Sequence, residues 1–540
     1  LRFKDFKANG DWVLFFKKTY KDKEINWDEK MDILSRYISR NPDGEPGDKI
    51  MSERTVRNWA KALDLVELNS PPPEQYEIAQ ERVIPKDTKR FLITWAQNNT
   101  PIHKKFLENM EAYSEHIGAE ILVIAGRYKN PTSIFSKEQN EEEFWDKSVV
   151  QYLDANRHSL NGYVTVLSDL KIQPTAINPL SSLAGLSGKE STIFGHPKQQ
   201  LEVIPTLEGY REKIMMTTGS VSLPNYTDSK SGKKGEFNHI IGCLVVELDG
   251  EDSFMRHISA DDDGSFSDLK FRVKNRKVTD NNGIDGIVLG DIHLGQDNDV
   301  IMESTFNIIK DFNAPKVVLH DLFDAYSVNV HETKNPFLQY QKELADRNDL
   351  KKEVDAMLAW LGDLKEITDE IIIVKSNHDD MIDRYLTNED WKRGHIKNAL
   401  TYMQYSTAIL TGEAENGIIP WVINQTYPSV ITLDLDSSYR INGWEIAIHG
   451  HQGSNGSRGS KNVFRKLSTK LITAHTHSPH LADGAACVGC TCKKKQGYNK
   501  GGASSWLYSH VIIHKDYNNS GSSKIQHLVI NDQGRYTTLF

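Results

Sequence analysis

Five apolar segments in the second half of this chain run directly into Asp, Asn or His, and that repetition limits the folds open to it. GIDGIVLGDIH carries Asp291 and His293, and KVVLHDLFD carries Asp321 and Asp324. EIIIVKSNHDD carries Asn377, His378 and Asp379. WEIAIHGH carries His449 and His451, and KLITAHTH carries His475 and His477. Short runs rich in Ile and Val, alternating with helical periodicity at Ile301–Phe312 and Leu338–Asp363, predict the strands and helices of an α/β sheet. In open α/β sheets the crevice at the carboxyl ends of the strands is the binding site. Five such ends bearing metal-ligand side chains predict a metal centre.

The spacing supports the same chemistry. In a D-x-H or H-x-H tripeptide on extended backbone the outer side chains share one face, so two ligands grip one ion from a single strand end. Mixed carboxylate, imidazole and amide ligands suit Mn²⁺, Fe or Zn²⁺ better than Ca²⁺ or a thiolate site. Any one fragment alone reads as a structural histidine after a strand. Five in series do not arise that way.

The order of these motifs resembles the calcineurin-like metallophosphoesterase family, whose pattern is D-x-H, G-D-x-x-D, G-N-H-D/E, a lone His and G-H-x-H. The resemblance covers Gly286 to Ile530. It implies a C-terminal β-sandwich flanked by helices and two divalent metal ions, most simply Mn²⁺. By this resemblance Asp291, His293 and His477 hold one ion, Asn377, His449 and His475 hold the other, and Asp321 bridges them. His378 follows as general acid, oriented by Asp324, and His451 and Asp379 support the ligands from behind. Three positions depart from the pattern. His320, Ser376 and Ala474 stand where the family has Gly, which puts local loop geometry in doubt and leaves every ligand in place.

The family fixes the chemistry and leaves the phosphoester open. The chain carries 65 basic and 74 acidic residues, net −9, which argues against a protein that coats nucleic acid. Charge is unevenly placed, however: Ile446–Lys515 holds ten Lys or Arg and one acid, Asp483. Within it Arg458, Lys461, Arg465, Lys466 and Lys470 join two ligand strands. Such a segment at the rim of the site neutralises phosphates, and phosphate neutralisation supplies most of a protein's affinity for DNA. Lys493–Lys495 follow, and Tyr498 and Trp506 are candidates for base stacking. DNA is therefore the expected partner and a metal-dependent DNase the expected activity. A nucleotide or protein phosphatase, and a DNA-binding protein without catalysis, are the alternatives. At motif level the chain resembles exonuclease subunits of double-strand-break processing complexes. Its size and domain order look like host-DNA-degrading DNases of T-five-type tailed bacteriophages, which would place it in the host cytoplasm.

At 540 residues the chain has room for about three domains. The expected division is a helical, helix-turn-helix-like segment at 1–70, an α/β segment at 71–278 and the metallophosphoesterase segment at 279–540. Trp27, Met31, Leu34 and Ile38 recur at helical spacing, as do Val56, Trp59, Ala60 and Leu63 after Ser52, a capping residue. Arg54, Arg57 and Lys61 lie elsewhere on that second helix, which reads either as a DNA contact or as a plain helical hairpin. Phe91–Gln97, Pro101–Gly118 and Ala119–Gly126 predict a strand–helix–strand unit, and His239–Leu248 a further strand. Thr227–Glu236 has the composition of an exposed loop. Four cysteines are too few for a disulfide scaffold and suit a reducing, intracellular setting. Cys487, Cys490 and Cys492 are either free thiols or, with His480 or His510, a zinc site. No apolar run approaches a membrane span, and a homo-oligomer stays open.

Overall fold

The computed structural model describes residues 15–16, 18–20, 26–38, 55–56, 58–59, 84–85, 87–130, 144–280, 283–392, 396–497 and 499–540. The chain divides into two compact units, one of Leu1–Tyr76 with Ser133–Phe144, the other of Glu77–Thr132 with Trp145–Phe540. No helix among the described residues is long and apolar enough to cross a membrane.

In the first unit Trp27–Ile38 is a helix, as its spacing predicts, with Leu34 buried. The Asn26 side chain accepts from the Glu29 amide, and Asp28 and Glu29 add negative charge to the first turn, where the helix dipole favours it. Val56 and Trp59 are helical and buried. Ser52, Arg54, Arg57, Lys61 and the Ser70–Glu74 linker lie outside the described residues.

The second unit is mixed α/β. Its six-stranded sheet runs in the order Ile431–Leu433, Glu370–Val374, Lys316–Leu319, Ile284–Val288, Ser509–His514, Ile525–Val529. The first four strands are mutually parallel and the last two pair antiparallel. Alternation along each strand fixes its two faces. Ile287, Val317, Leu319, Ile371, Ile373 and Ile512 pack with helices Asp299–Asp311, Leu350–Lys365, Asp379–Asn388 and Ile418–Thr426. Val288, Val318, Ile372, Val374, Val511 and Ile513 point the other way, onto Trp444, Ile472 and Ala486 of a second sheet and onto the adjoining Ile446. Each such side chain, fully buried, contributes roughly 1.5–3 kcal/mol.

That second sheet has ten strands and draws on both halves of the sequence. Strands from 440–487 join strands from 157–217 where His480 and Leu481 pair with Glu202 and Leu201. A single sheet thus spans the expected division at residue 279. Its 157–217 half packs on the five-stranded sheet built around Arg90–Gln97 and Glu120–Gly126. Those two strands are parallel and joined by helix Lys104–Ile117, the predicted strand–helix–strand unit. The predicted strand at 239–248 is Gly242–Asp249, antiparallel to Arg90–Gln97.

Two expectations are corrected. Lys230–Phe237 is a helix, not a loop. Ser229 caps it by accepting from the Gly232 amide, and Gly232 and Gly235 sit so close to Thr227 and Tyr226 that a Cβ would collide. Polar composition concealed a helix docked through its glycines. The helical stretch at 338–363 is two helices, Pro336–Leu344 and Leu350–Lys365, with Asp346 in the left-handed region between them and Asp349 capping the second.

The core also holds many neutral histidines. Burial pushes His257 and His527 down to about 4 and His510 to about 3, and neutral rings suit the backbone partners they have. His257 donates to the Thr217 carbonyl and His527 to that of Cys487. A depressed folded-state pKa means the unfolded chain binds protons first, below its pKa of about 6.5. Stability is therefore lost as pH falls from about 6.5 toward 4, by roughly 3 kcal/mol per such ring. Two or three rings rival the ~5–15 kcal/mol stability of a whole domain. The expected result is a steep fall in Tm between pH 6.5 and 5, and a level thermal profile across that window would contradict it.

Candidate metal centre

The parallel strands of the six-stranded sheet, and Lys470–Thr473 of the ten-stranded one, deliver the predicted residues to one place. The strand ends are tied to each other through backbone. The His293 amide donates to the Asp321 carbonyl at 2.7 Å, and the Ala474 amide to the His449 carbonyl at 2.7 Å. Four residues here adopt positive φ: His293 (53°), Asp321 (43°), His475 (69°) and His477 (55°). Non-glycine residues in this region carry strain of about 1–3 kcal/mol each, and such strain concentrates at functional sites. None of His320, Ser376 and Ala474 has positive φ. At His320 and Ala474 the left-handed turn falls on the next residue, Asp321 or His475, whereas no residue beside Ser376 has positive φ.

Asp321 sits at the middle. Its Oδ2 lies 3.2 Å from His449 Nε2 and 3.4 Å from His293 Nε2. Asp291 Oδ2 is 3.2 Å from His477 Nε2, which is 3.2 Å from His293 Nε2. His475 stacks edge-on with His449, ring centroids 5.2 Å apart. Several of these atoms are buried and make no aligned hydrogen bond: both Asp291 oxygens, Asp321 Oδ1, Asn377 Oδ1 and both His449 nitrogens. Leaving a buried polar atom unpaired costs about 1–3 kcal/mol. Atoms 3–4 Å apart that do not bond each other are arranged like ligands aimed at a common point. Asp321, His449 and His475 form one group able to hold a metal ion, and Asp291, Asp321 and His477 form another, sharing Asp321. The donor set fits divalent cations.

The charge balance of the cluster is mixed: burial acts against the charged forms of His293 and His449, yet the Asp321 carboxylate overrides it and raises both, His293 to about 10. Burial pushes Asp291 up to about 7, and the Asp321 carboxylate adds to that. Burial acts on Asp321 in the same direction, but the imidazoles of His449, His378 and His293 override it and hold Asp321 well below the usual range. Burial, then His449, pushes His475 down to about 4. Burial, then His293, holds His477 well below its ordinary value. Neutral imidazole and ionised carboxylate are the ligating forms; Asp321, His475 and His477 are shifted toward them, and Asp291, His293 and His449 away from them.

His378 and Asp324 come together in a different way from the one expected. The His378 Nδ1 donates to the Asp324 backbone carbonyl at 2.7 Å. The Asp324 carboxylate instead accepts from His293 Nδ1 at 3.0 Å and stands 3.7 Å from His378 Nδ1. Asp324 thus orients His293 through its side chain and His378 through its main chain. Either bond occupies Nδ1 and leaves Nε2 as the ring's second nitrogen, the arrangement in which outer partners fix ligand tautomers. Asp379 bonds the Ser376 amide at 2.9 Å and Ser376 Oγ accepts from the Asp379 amide at 3.3 Å. This reciprocal cap clamps Asn377 and His378 at the start of helix Asp379–Asn388. The expected support from His451 is limited to ring contacts, its centroid 5.4 Å from that of His449.

A cavity of about 410 Å³ opens over the cluster, lined by His293, Asp321, Asn377, His378, Arg458, His475, His477 and Trp506 among others. Of the five expected DNA-binding residues, Arg458 lines it. Arg465 is spent on Asp483, its Nε donating at 2.7 Å, and Lys198 shares that carboxylate. Lys470 lies over the Trp444 ring, 5.5 Å from its centroid, and bonds Ser522. Lys466 is exposed and Lys461 half-buried on the short helical turn at Lys461–Phe464. Among Lys493–Lys495, Lys494 pairs with Glu212 and Asp532, and Lys495 with Glu208. Trp506 packs edge-on against His477, centroids 4.0 Å apart. Tyr498 lies outside the described residues.

Glu353 escaped the sequence reading, and Cys492 was read only as a free thiol or as part of a separate zinc site. Glu353 accepts from the Tyr326 amide at 2.8 Å and the Ser327 amide at 3.0 Å, fixing the turn after Asp324. Nothing in the spacing links it to that turn. Cys492 Sγ lies 3.9 Å from His477 Nδ1 and belongs to a metal-capable group with His293 and His477. The zinc alternative is not supported among the described residues. Cys487, Cys490 and Cys492 are buried free thiols, and no metal-capable group unites them with His480 or His510. His510 is engaged with the Gly290 amide and Thr305.

No family model matches this sequence. Among solved structures, Vps29 of Chaetomium thermophilum is 10% identical, with a TM-score of 0.20, over 36% of this chain and 95% of that one. Protein A1 of Escherichia phage T5 is 31% identical over 465 residues, covering 82% of this chain and 81% of that protein. With identity sustained across four-fifths of both sequences, this chain belongs to the family of Protein A1 of Escherichia phage T5.

Proposed function

We propose that this chain is a metal-dependent phosphodiesterase that hydrolyses DNA. The reading is carried by the convergence of Asp291, His293, Asp321, Asn377, His449, His475 and His477 beneath a cavity that also presents His378 and Arg458. In this reading Asp291, His293 and His477 would hold one divalent ion and Asn377, His449 and His475 a second, with Asp321 serving both; Mn²⁺ suits the mixed donor set. Paired divalent ions at such a site neutralise phosphate charge and supply a hydroxide nucleophile at neutral pH.

The chain's own residues do the rest. Asp324 holds His293 through its carboxylate and His378 through its carbonyl, so both rings are fixed before substrate arrives. As imidazolium, His378 would pass its Nε2 proton to the leaving oxygen and be left as the neutral Nδ1–H form that the Asp324 carbonyl holds. Arg458 meets a flanking phosphate, and Trp506 offers a face to a base. Host DNA in the bacterial cytoplasm is the substrate we assign, with the helical segment at 1–70 as a second DNA contact.

The test is to load purified protein with Mn²⁺ and compare plasmid DNA with aryl phosphate mono- and diesters. Cleavage of DNA and of the diester is expected; hydrolysis of the monoester alone would make the chain a phosphatase. Arg458→Ala is expected to reduce DNA cleavage more than diester cleavage. It should also flatten the log–log salt dependence of DNA binding by about 0.9, the worth of one phosphate contact on duplex DNA. An unchanged salt slope would remove Arg458 from the DNA path.

A further inference from the structure

The backbone around His477 is fastened independently of its ring. Its carbonyl accepts from the Leu507 amide at 3.0 Å, and the Cys487 thiol donates to the Ala474 carbonyl at 3.3 Å in the same turn. The two ring nitrogens meet different surroundings. Nε2 lies 3.2 Å from Asp291 Oδ2 and 3.2 Å from His293 Nε2. Nδ1 lies 3.9 Å from Cys492 Sγ, and among the described residues no carboxylate or carbonyl takes that place. The neighbouring rings have oxygen there: His293 Nδ1 donates to the Asp324 carboxylate and His378 Nδ1 to the Asp324 carbonyl. A histidine that ligates through Nε2 carries its proton on Nδ1, and whatever receives that proton fixes the tautomer and the ring's direction.

Backbone pairing brings Cys492 to this point. The Asp291 amide donates to the Gly489 carbonyl at 3.1 Å, the Thr491 amide to the Asp291 carbonyl at 2.8 Å, and the Lys493 amide to the Gln296 carbonyl at 2.9 Å. The segment bearing Cys490 and Cys492 is thereby stitched along the strand end that carries Asp291 and His293. Buried free thiols are ordinarily packing residues, and Cys490 behaves as one, its Sγ against the Leu507 and Cys492 carbonyls at 3.9 and 3.8 Å. Cys492 differs because the ring it meets has its other nitrogen beside Asp291, both of whose oxygens are buried without a hydrogen bond. Trp506 packs edge-on against that ring, centroids 4.0 Å apart. Such a contact restrains where the ring lies and does not choose which nitrogen faces Asp291.

We propose that Cys492 is a positioning residue of the metal centre: its sulfur receives the Nδ1 proton of His477 and so aims Nε2 at the ion that Asp291, His293 and His477 would hold. The proposal rests on the metal assignment of His477 made above and is independent of DNA as the substrate. Sulfur is a weaker acceptor than the oxygen that serves His293, which makes His477 the more loosely held of the two imidazoles.

The test is Mn²⁺ binding to the full chain, followed by electron paramagnetic resonance of the free ion, with the thermal midpoint of the metal-free protein measured alongside. Cys492→Val keeps an apolar side chain of similar size and removes the acceptor. It should weaken one of the two ions by about 10-fold, the lower end of the usual effect of losing an outer partner, while the metal-free midpoint stays in place. Cys492→Ser restores an acceptor at the expense of packing. It should bind Mn²⁺ more tightly than the Val variant even though its midpoint falls. A packing role predicts the reverse order, and wild-type affinity in the Val variant would overturn the proposal while leaving the two-ion reading intact. A wild-type chain that binds no Mn²⁺ would overturn that reading and this proposal with it. If both variants misfold, the wild-type chain loaded with Co²⁺ decides. Ligand-field absorption without a thiolate charge-transfer band is expected; an intense band of that kind in the near ultraviolet would make Cys492 a ligand itself and overturn the positioning role.

Discussion

Replacing Asp321 by Asn is expected to reduce phosphodiester hydrolysis to background and to strip the centre of metal. The substitution keeps the shape of the side chain and removes one charge at the point where the two metal-capable groups overlap. Asp321 is the carboxylate the imidazoles surround, its Oδ2 3.2 Å from His449 Nε2 and 3.4 Å from His293 Nε2. Asp291 belongs to only one of those two groups and so cannot replace the shared ligand. Metal analysis should show a fall from roughly two ions per chain, in step with the loss of activity. Full activity at unchanged stoichiometry would sink the shared-ligand assignment.

His378→Ala should separate binding from chemistry. The ring belongs to the cavity wall, its Nδ1 is committed to the Asp324 carbonyl, and it appears in neither group that shares Asp321. Metal content should therefore stay at the wild-type value while turnover falls about 10²–10⁴-fold, the usual worth of a positioned proton donor. The loss should shrink for a substrate whose leaving group needs no proton, such as a nitrophenyl ester. A variant that loses metal would instead make His378 a ligand, an outcome that its 3.7 Å approach to the Asp324 carboxylate makes worth measuring.

The sequence by itself determined the parts that depend on local pattern. Apolar runs with alternate faces had to be strands, and Asp, Asn and His directly after them had to lie at strand ends. Asp291, Asp321, Asn377, His449, His475 and His477 were legible for that reason. Helix Trp27–Ile38 and the strand–helix–strand unit at 90–126 were legible from periodicity. The reciprocal cap between Ser376 and Asp379 was legible in principle, since S-x-x-D is a capping pattern.

Tertiary structure alone decided what each polar side chain meets. Lys and Arg between 458 and 470 read as one basic rim, yet Asp483 draws Arg465 aside and Trp444 and Ser522 occupy Lys470, leaving Arg458 at the cavity. Asp324 was assigned to His378, but the positive φ of Ala325 turns the chain so that carbonyl and carboxylate serve different rings. The ten-stranded sheet joins residues 201–202 to 480–481, a pairing no local pattern announces. The physical reason is common to all three. Periodicity records which face of an element is buried, whereas ion pairs, ring orientations and strand neighbours depend on which distant backbones the fold brings within about 3–5 Å.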